Sequence, residues 1–85
     1  MKKDNDHTYT LSLTVRNRPG VLVRCAQVFG RRGHNIEALH VAAVAGQPDV
    51  SNMTVTAFGK PDVIHQISKS LGKLIDVIEV KEKED

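Results

Sequence analysis

The segment Asn17-Arg18-Pro19-Gly20-Val21-Leu22 decides how this chain folds, because the hydrophobic period changes there from two to about 3.6. Proline fixes its own φ near the helical value and pushes the residue before it towards extended geometry, so we expect a helix to begin at about Pro19. Gly20 has no Cβ, and the positive end of the helix dipole lies beside it. The corner is therefore suited to an anion such as a carboxylate; the alternative is a plain strand-to-helix turn, for which Pro-Gly is a common dipeptide.

The residues on either side of this corner show two different periodicities. Before it, apolar residues alternate with Thr and Ser, which predicts a half-buried strand with the inward residues Tyr9, Leu11, Leu13 and Val15. After it, helical spacing predicts an inward stripe of Leu22, Cys25, Ala26 and Phe29, widened by Val21 and Val28. Gly33 is predicted to end this helix with a left-handed cap.

The remaining residues predict two more strands, a second helix and a last strand. We expect a strand over residues 35–45, a turn over 46–49 and a third strand containing Met53, Val55 and Ala57. A second helix is predicted to run from Pro61 to Gly72, followed by a strand over 74–80 and a charged tail from Lys81. The inward stripe of that helix would be Val63, Ile64, Ile67 and Leu71.

This order predicts an α+β fold of the ferredoxin-like βαββαβ type, a four-stranded antiparallel sheet with two helices on one face. Right-handed crossovers place the first and third strands at the centre. The other sheet face would carry Thr and Ser, and we expect part of it, or an edge strand, to meet a second copy.

Composition narrows the classes of function. The chain has 85 residues, a formal net charge of +2, no Trp, one Tyr and two Phe. This charge is too small and too evenly spread along the sequence to identify a nucleic-acid binder, and the central strands lack the run of exposed aromatic residues that an RNA-binding module of the same topology uses. No apolar stretch is long enough to span a membrane, and the polar amino terminus and single cysteine favour a cytoplasmic location.

Catalytic and metal-binding patterns are missing from the sequence. The four histidines lie far apart, without the spacing of metal ligands, and Cys25 lies on the inward helix stripe, where a small core residue is expected. The carboxylates fall in turns, at a helix start or on the last strand, so they suggest no buried acid–base pair. We therefore expect no catalytic residue, no metal and no cofactor in this chain.

Two asparagines remain as candidates for binding. Asn35 begins the second strand and can offer an amide donor and an acceptor towards an edge where another copy could pack. Asn17 lies at the corner itself. Each has an alternative interpretation as a local turn or capping residue.

Residues 13–22 (LTVRNRPGVL) and 29–39 (FGRRGHNIEAL) closely resemble the ACT domain of the acetolactate (acetohydroxyacid) synthase small, regulatory subunit. Residues 51–55 (SNMTV) and 73–80 (KLIDVIEV) fit the same family. The likeness predicts a polar segment 1–7, an ACT domain over residues 8–82 and a charged tail 83–85. Many members carry a second domain after the ACT domain, and this chain ends at Asp85.

The resemblance implies a dimer that binds a branched-chain amino acid, usually valine, between its subunits. On the matching positions, Asn17 and the corner Pro19, Gly20, Val21 and Leu22 of one copy would hold the ligand, and Asn35 and Ile36 would come from the other copy. The implied partner is a catalytic large subunit that carries thiamine diphosphate, FAD and Mg. This chain would activate that subunit and make it sensitive to feedback; the alternative is an ACT-type sensor serving a different enzyme or a transcription factor.

Overall fold

Six elements follow one another in the order βαββαβ in the computed structural model, which describes residues 7–84, with only the backbone of Glu84. They are β1 (His7–Arg16), α1 (Val21–Arg31), β2 (Ala38–Val44), β3 (Gln47–Gly59), α2 (Pro61–Gly72) and β4 (Val77–Glu84). Of the predicted polar segment 1–7, only His7 lies within the described residues, and Asp85 of the predicted tail also lies outside them.

The four strands form one antiparallel sheet in the order β2-β3-β1-β4, which confirms the predicted fold and its two central strands. β1 pairs with β3 along its whole length, from His7 opposite Gly59 to Arg16 opposite Val50. Its other edge pairs with β4. Because β1 is bonded on both edges, it can keep its alternating side chains in a fixed register, with one parity on the helical face and the other on the polar face.

The core lies between the helices and the sheet and is mainly aliphatic. The inward residues of β1 are all buried, as the alternation predicts, and so are the matching residues Met53, Val55 and Ala57 of β3. Helix α2 contributes Ile64, Ile67 and Leu71, each with no exposed surface, and Val63 packs at the margin. Each such aliphatic side chain contributes about 1.5–3 kcal/mol to the free energy of unfolding, which makes this layer the main source of stability.

Helix α1 is rotated relative to the stripe that its sequence predicts. Its buried residues are Val21, Cys25, Val28 and Phe29. Leu22 and Ala26 are exposed, so their predicted place in the core is wrong. Helical spacing allows both stripes, and contact with the sheet selects the one that includes Val21. Burial raises the pKa of the Cys25 thiol, consistent with its predicted place in the core.

The hairpin between β2 and β3 turns earlier than expected. Its turn is Ala45-Gly46, with Gly46 at φ 77, and residues 47–49, predicted as part of the turn, belong to β3. The register shifts between Ala43 and Val44, so residues 48–50 have no partner on β2. Pro48, which has no N–H group, is tolerated because a bulge residue here does not donate a hydrogen bond to β2. Strand β2 is also shorter than predicted, since it begins at Ala38.

Strand β4 begins later and ends later than expected. The predicted strand 74–80 is wrong at both ends, because residues 74–76 form a loop and Lys81, Glu82 and Lys83 pair with Ser12, Leu11 and Thr10 of β1. As an edge strand, β4 has only one neighbour and carries charged side chains along its length. Such a strand lacks the apolar alternation by which strands are recognised.

Gly59, at the end of β3, packs closely against the side chain of His34. A Cβ built there would collide with the ring of His34, whose Nε2 is buried. We expect Gly59→Ala to lower the free energy of unfolding by about 1–3 kcal/mol, measured by urea denaturation, because the imidazole must move. Gly72→Ala is the control, since a Cβ added at Gly72 would meet no atom within 4 Å.

The double variant His34→Ala, Gly59→Ala separates this collision from other effects. Removing the ring makes room for the new methyl group, so the alanine at 59 should be much less destabilising in the His34→Ala background than in the wild type. Equal destabilisation in both backgrounds would contradict the packing argument.

Candidate functional site

The corner between β1 and α1 is a hydrogen-bonded β-turn of four residues, Arg18 to Val21. The Val21 N–H donates to the Arg18 carbonyl at 3.3 Å, and Gly20 adopts φ 84 and ψ −8. Pro at the second position and a left-handed Gly at the third define a type II turn. A left-handed residue has no place in a right-handed helix, so α1 begins at Val21, and the predicted start at Pro19 is two residues too early.

The first turn of α1 leaves backbone donors exposed. The Gly20 carbonyl accepts from the Arg24 N–H at 3.0 Å, which is the first bond of the helix. Within residues 7–84, no acceptor is bonded to the N–H of Leu22 or Val23, no side chain caps the helix, and its first turn contains no acidic residue. Two free N–H groups at the positive end of the dipole can bind a carboxylate.

The side chains around this corner divide between solvent and core. Asn17 is exposed, and its backbone N–H is bonded to the Asp49 carbonyl at 2.8 Å. A shallow depression of about 310 Å³ lies beside it, lined by Arg16, Asn17, Arg18 and Asp49. Leu22 is 45% exposed, whereas the Val21 side chain is in the core. Of these two predicted apolar contacts, only Leu22 can therefore offer its side chain to a ligand at the corner.

The other candidate residues, Asn35 and Ile36, lie beyond the carboxyl end of α1. That end closes with Gly33 at φ 66, whose N–H donates to Gly30, and with the His34 N–H donating to the Phe29 carbonyl. This pair of bonds is a Schellman motif, which confirms the predicted glycine cap. Asn35 is exposed beside a depression of about 250 Å³, while Ile36 is half-buried and packs against the core.

One chain does not bring the two sets of residues together. Helix α1 has 11 residues, so about 16 Å of helix separates the corner at its amino end from Asn35 beyond its carboxyl end. The corner and the Asn35 segment are therefore separate surfaces of a single chain. A site that uses both needs a second chain.

Asp76 is the residue at this corner that sequence reasoning missed. It is only 7% exposed, although it lies in the loop before β4. Its carbonyl accepts from the Arg16 N–H at 2.7 Å, and its carboxylate contacts Arg24 Nη1 at 3.2 Å and Arg18 Nη1 at 3.6 Å. Asp76 thus fastens the end of β1, the turn and the first turn of α1 to the α2–β4 loop. The sequence carries no local signal for this burial, because Ile75 on one side of Asp76 is exposed and Val77 on the other is buried.

The structure adds three observations that bear on other candidate functions. Residues 7–84 contain no group of three or more His, Cys, Asp or Glu side chains placed to hold a metal ion. His65 Nδ1 lies 2.8 Å from a Glu82 carboxylate oxygen on the surface, and none of the described helices is long and apolar enough to cross a membrane.

Comparison with solved structures places the fold among ACT domains. The crystal structure of the ACT domain from GTP pyrophosphokinase of Chlorobium tepidum superposes with a TM-score of 0.76 and covers 92% of this chain and 99% of that one. Its sequence identity is 16%, so the likeness is one of fold.

Residues 11–79 match the family described as AHAS small subunit-like ACT domain, and the chain belongs to this family. The acetolactate synthase small subunit of Mycobacterium avium is 49% identical over 78 residues, which cover 92% of this chain and 46% of that protein. The crystal structure of the small subunit from Thermotoga maritima has a TM-score of 0.78 at 33% identity, over 88% of this chain and 46% of that one. The chain thus spans about half the length of these relatives.

The contacts of Asp76 predict that its charge stabilises the corner. We expect Asp76→Asn to lower the free energy of unfolding by about 1 kcal/mol, because two arginines lose their shared anion while their exposed head groups remain hydrated. Urea denaturation at low salt and in 1 M NaCl measures this effect, which should shrink at high salt. Glu79→Gln, which removes an exposed carboxylate from β4, is the control and should change stability by less than about 0.5 kcal/mol. Equal effects of the two substitutions would contradict the role of Asp76.

Proposed function

We propose that this chain is a regulatory subunit that binds a branched-chain amino acid, with valine as the first candidate, between two copies of itself. The proposal extends to the catalytic subunit of acetolactate synthase, which this chain would activate and make sensitive to feedback. The observation that carries it is the open amino end of α1, where the backbone N–H groups of Leu22 and Val23 are free and the Leu22 side chain is exposed. The names of the relatives support the choice of enzyme.

The chemistry of the corner fits the two ends of an aliphatic amino acid. The backbone donors and the helix dipole favour its carboxylate, and the side-chain amide of Asn17 offers both a donor and an acceptor for the polar groups. Leu22 supplies an apolar contact for the aliphatic side chain. Valine, leucine and isoleucine differ by a methylene group or a branch point, worth about 1–3 kcal/mol in an apolar pocket, so their relative affinities must be measured.

An apolar surface beside the corner supports the pairing of two copies. Leu39 and Val41 of β2 lie opposite Val55 and Met53, so they face the helical side of the sheet, yet they are 43% and 46% exposed. In a right-handed β1-α1-β2 unit the helix lies between its two strands, so the outer side of α1, with Leu22, is next to β2. Exposed aliphatic residues beside an unpaired strand edge are typical of a surface that another chain covers.

A two-fold axis at this surface would complete the ligand site. In such an isologous contact an element that lies on the axis meets its own copy, so α1 of one copy would run antiparallel to α1 of the other if the axis crosses it at a right angle. The amino end of one helix then lies near the carboxyl end of the other. Asn35 and Ile36 of the partner would reach the corner, which agrees with their separation from it within one chain.

The catalytic chemistry in this proposal belongs to the partner. Thiamine diphosphate, FAD and Mg would be bound by the catalytic subunit, and this chain would supply amino-acid sensing. Coupling between the two functions requires that bound effector changes the affinity or activity of the assembled complex. An acetolactate synthase assay with and without this chain, and with valine, tests that coupling directly.

Calorimetric titration with valine tests the effector site. We expect the wild type to bind valine and Asn35→Ala to bind it at least about tenfold more weakly, because a buried ligand loses hydrogen bonds to the amide. Asn52→Ala is the matched control, since Asn52 is exposed on β3 and pairs with Thr14 on the polar sheet face. Equal affinity of Asn35→Ala and wild type would remove Asn35 from the site, and no binding of valine, leucine or isoleucine to the wild type would overturn the effector proposal.

Mixing two variants that bind valine weakly tests whether each site is shared between two chains. Asn17→Ala and Asn35→Ala homodimers each carry one defect in both sites, whereas a heterodimer of the two has one intact site and one doubly defective site. After equal amounts are unfolded and refolded together, we expect valine binding to return at wild-type affinity with about one quarter of the wild-type stoichiometry. A site built within one chain predicts no recovery.

A further inference from the structure

A groove with positively charged rims runs along the helical side of the molecule, from the corner to the carboxyl end of α1. It consists of two depressions of about 440 and 490 Å³ that share Lys73 and Leu74. We call it the basic groove. Its charged side chains are five cations and one carboxylate: Arg18, Arg24, Arg31, Arg32, Lys73 and Asp76.

Most of the cations in the basic groove lack an anionic partner. Arg18 and Arg24 share the single carboxylate of Asp76, and Arg32 donates to the neutral Gln66 side chain at 2.9 Å. No carboxylate on residues 7–83 forms an ion pair with Arg31 or Lys73. The whole chain has a formal charge of only +2, so positive charge is concentrated on this surface and is balanced elsewhere.

The basic groove also has an apolar component. Val21, Val28 and Val77 are buried along its floor, and Leu74 packs against the core. Ile75 stands at its rim with 90% of its surface exposed, more than any other large apolar residue described. A solvent-exposed isoleucine beside unpaired cations is typical of a residue that packs against a partner at a protein interface.

We propose that the basic groove docks an acidic segment of a protein partner, with Ile75 packing against an apolar side chain of that segment. This inference rests on the proposed function, under which the partner is the acetolactate synthase catalytic subunit. Charge complementarity selects an acidic occupant, because the groove holds unpaired arginine and lysine side chains. The absence of an aromatic residue from its lining and the presence of Ile75 favour a polypeptide over nucleic acid, whose binding surfaces stack bases on aromatic rings.

The basic groove shares residues with the candidate effector corner. Arg18 lies in the type II turn and Arg24 in the first turn of α1, and both are held by Asp76. An effector at the corner would therefore lie beside the arginine pair that a partner in the groove would contact. Such a shared element lets effector binding change the affinity for the docked segment.

The experiment compares two pairs of neutralised cations in a binding titration with the holoenzyme of the catalytic subunit. Arg31→Gln with Lys73→Gln removes two exposed charges from the basic groove, and Lys81→Gln with Lys83→Gln removes two exposed charges from β4 on the opposite sheet face. We expect the groove pair to weaken binding roughly tenfold at about 0.1 M salt and less at 0.5 M, whereas the β4 pair should match the wild type. Ile75→Ser alone should also weaken binding roughly tenfold.

The outcomes distinguish this inference from the proposed function. If the wild type binds the catalytic subunit and the groove variants bind equally well, the docking site is overturned while the proposed function stands. Equal weakening by both charge pairs would mean attraction by net charge alone and would also overturn it. If the wild type does not bind the catalytic subunit at all, the proposed function fails and the docking proposal fails with it. Valine affinity of the groove variants, measured in parallel, reports whether their folded corner is intact.

Discussion

The left-handed conformation of Gly20 is the constraint on which the arrangement around the corner depends. Gly20, at φ 84, is the left-handed residue of the four-residue turn that redirects the chain, and an L side chain there would be strained by about 1–2 kcal/mol. The turn delays the start of α1 to Val21, whose side chain then enters the core. As a direct consequence, Leu22 and the free N–H groups of the first turn face outward. The same glycine therefore determines both how the helix packs and which groups a ligand can reach.

The sequence predicted those parts of the fold in which one local pattern has one interpretation. The alternation of β1, the proline and glycine limits of α2 and the cap at Gly33 were all recognised for this reason. Where two patterns were compatible with the same residues, tertiary contacts decided the outcome. Leu22 and Ala26 fit a helical stripe as well as Val21 does, and only the position of the sheet shows which stripe is buried.

Charged residues caused two further failures, because charge normally indicates exposure. Lys81 and Lys83 resembled a solvated tail, but their backbones complete the sheet beside β1. Asp76 resembled a residue of the last strand, but it lies in the loop before β4, where two arginines distant in sequence hold it. Such pairings depend on the folded path of the chain and leave no mark at a fixed sequence spacing. For the candidate site, the corner was visible in the sequence, whereas its link to the α2–β4 loop became visible only in the structure.

The two edges of the sheet differ in character, and this difference bears on how large an assembly can grow. β2 exposes aliphatic side chains at its edge, whereas β4 carries alternating lysines and glutamates, which discourage the addition of another strand. Two copies joined through β2 would form a continuous eight-stranded sheet, bounded on both sides by β4. Both β2 edges would then be paired, and the charged β4 edges would prevent the addition of further strands. Under the proposed pairing through β2, the chain would therefore form a closed pair rather than an open fibre.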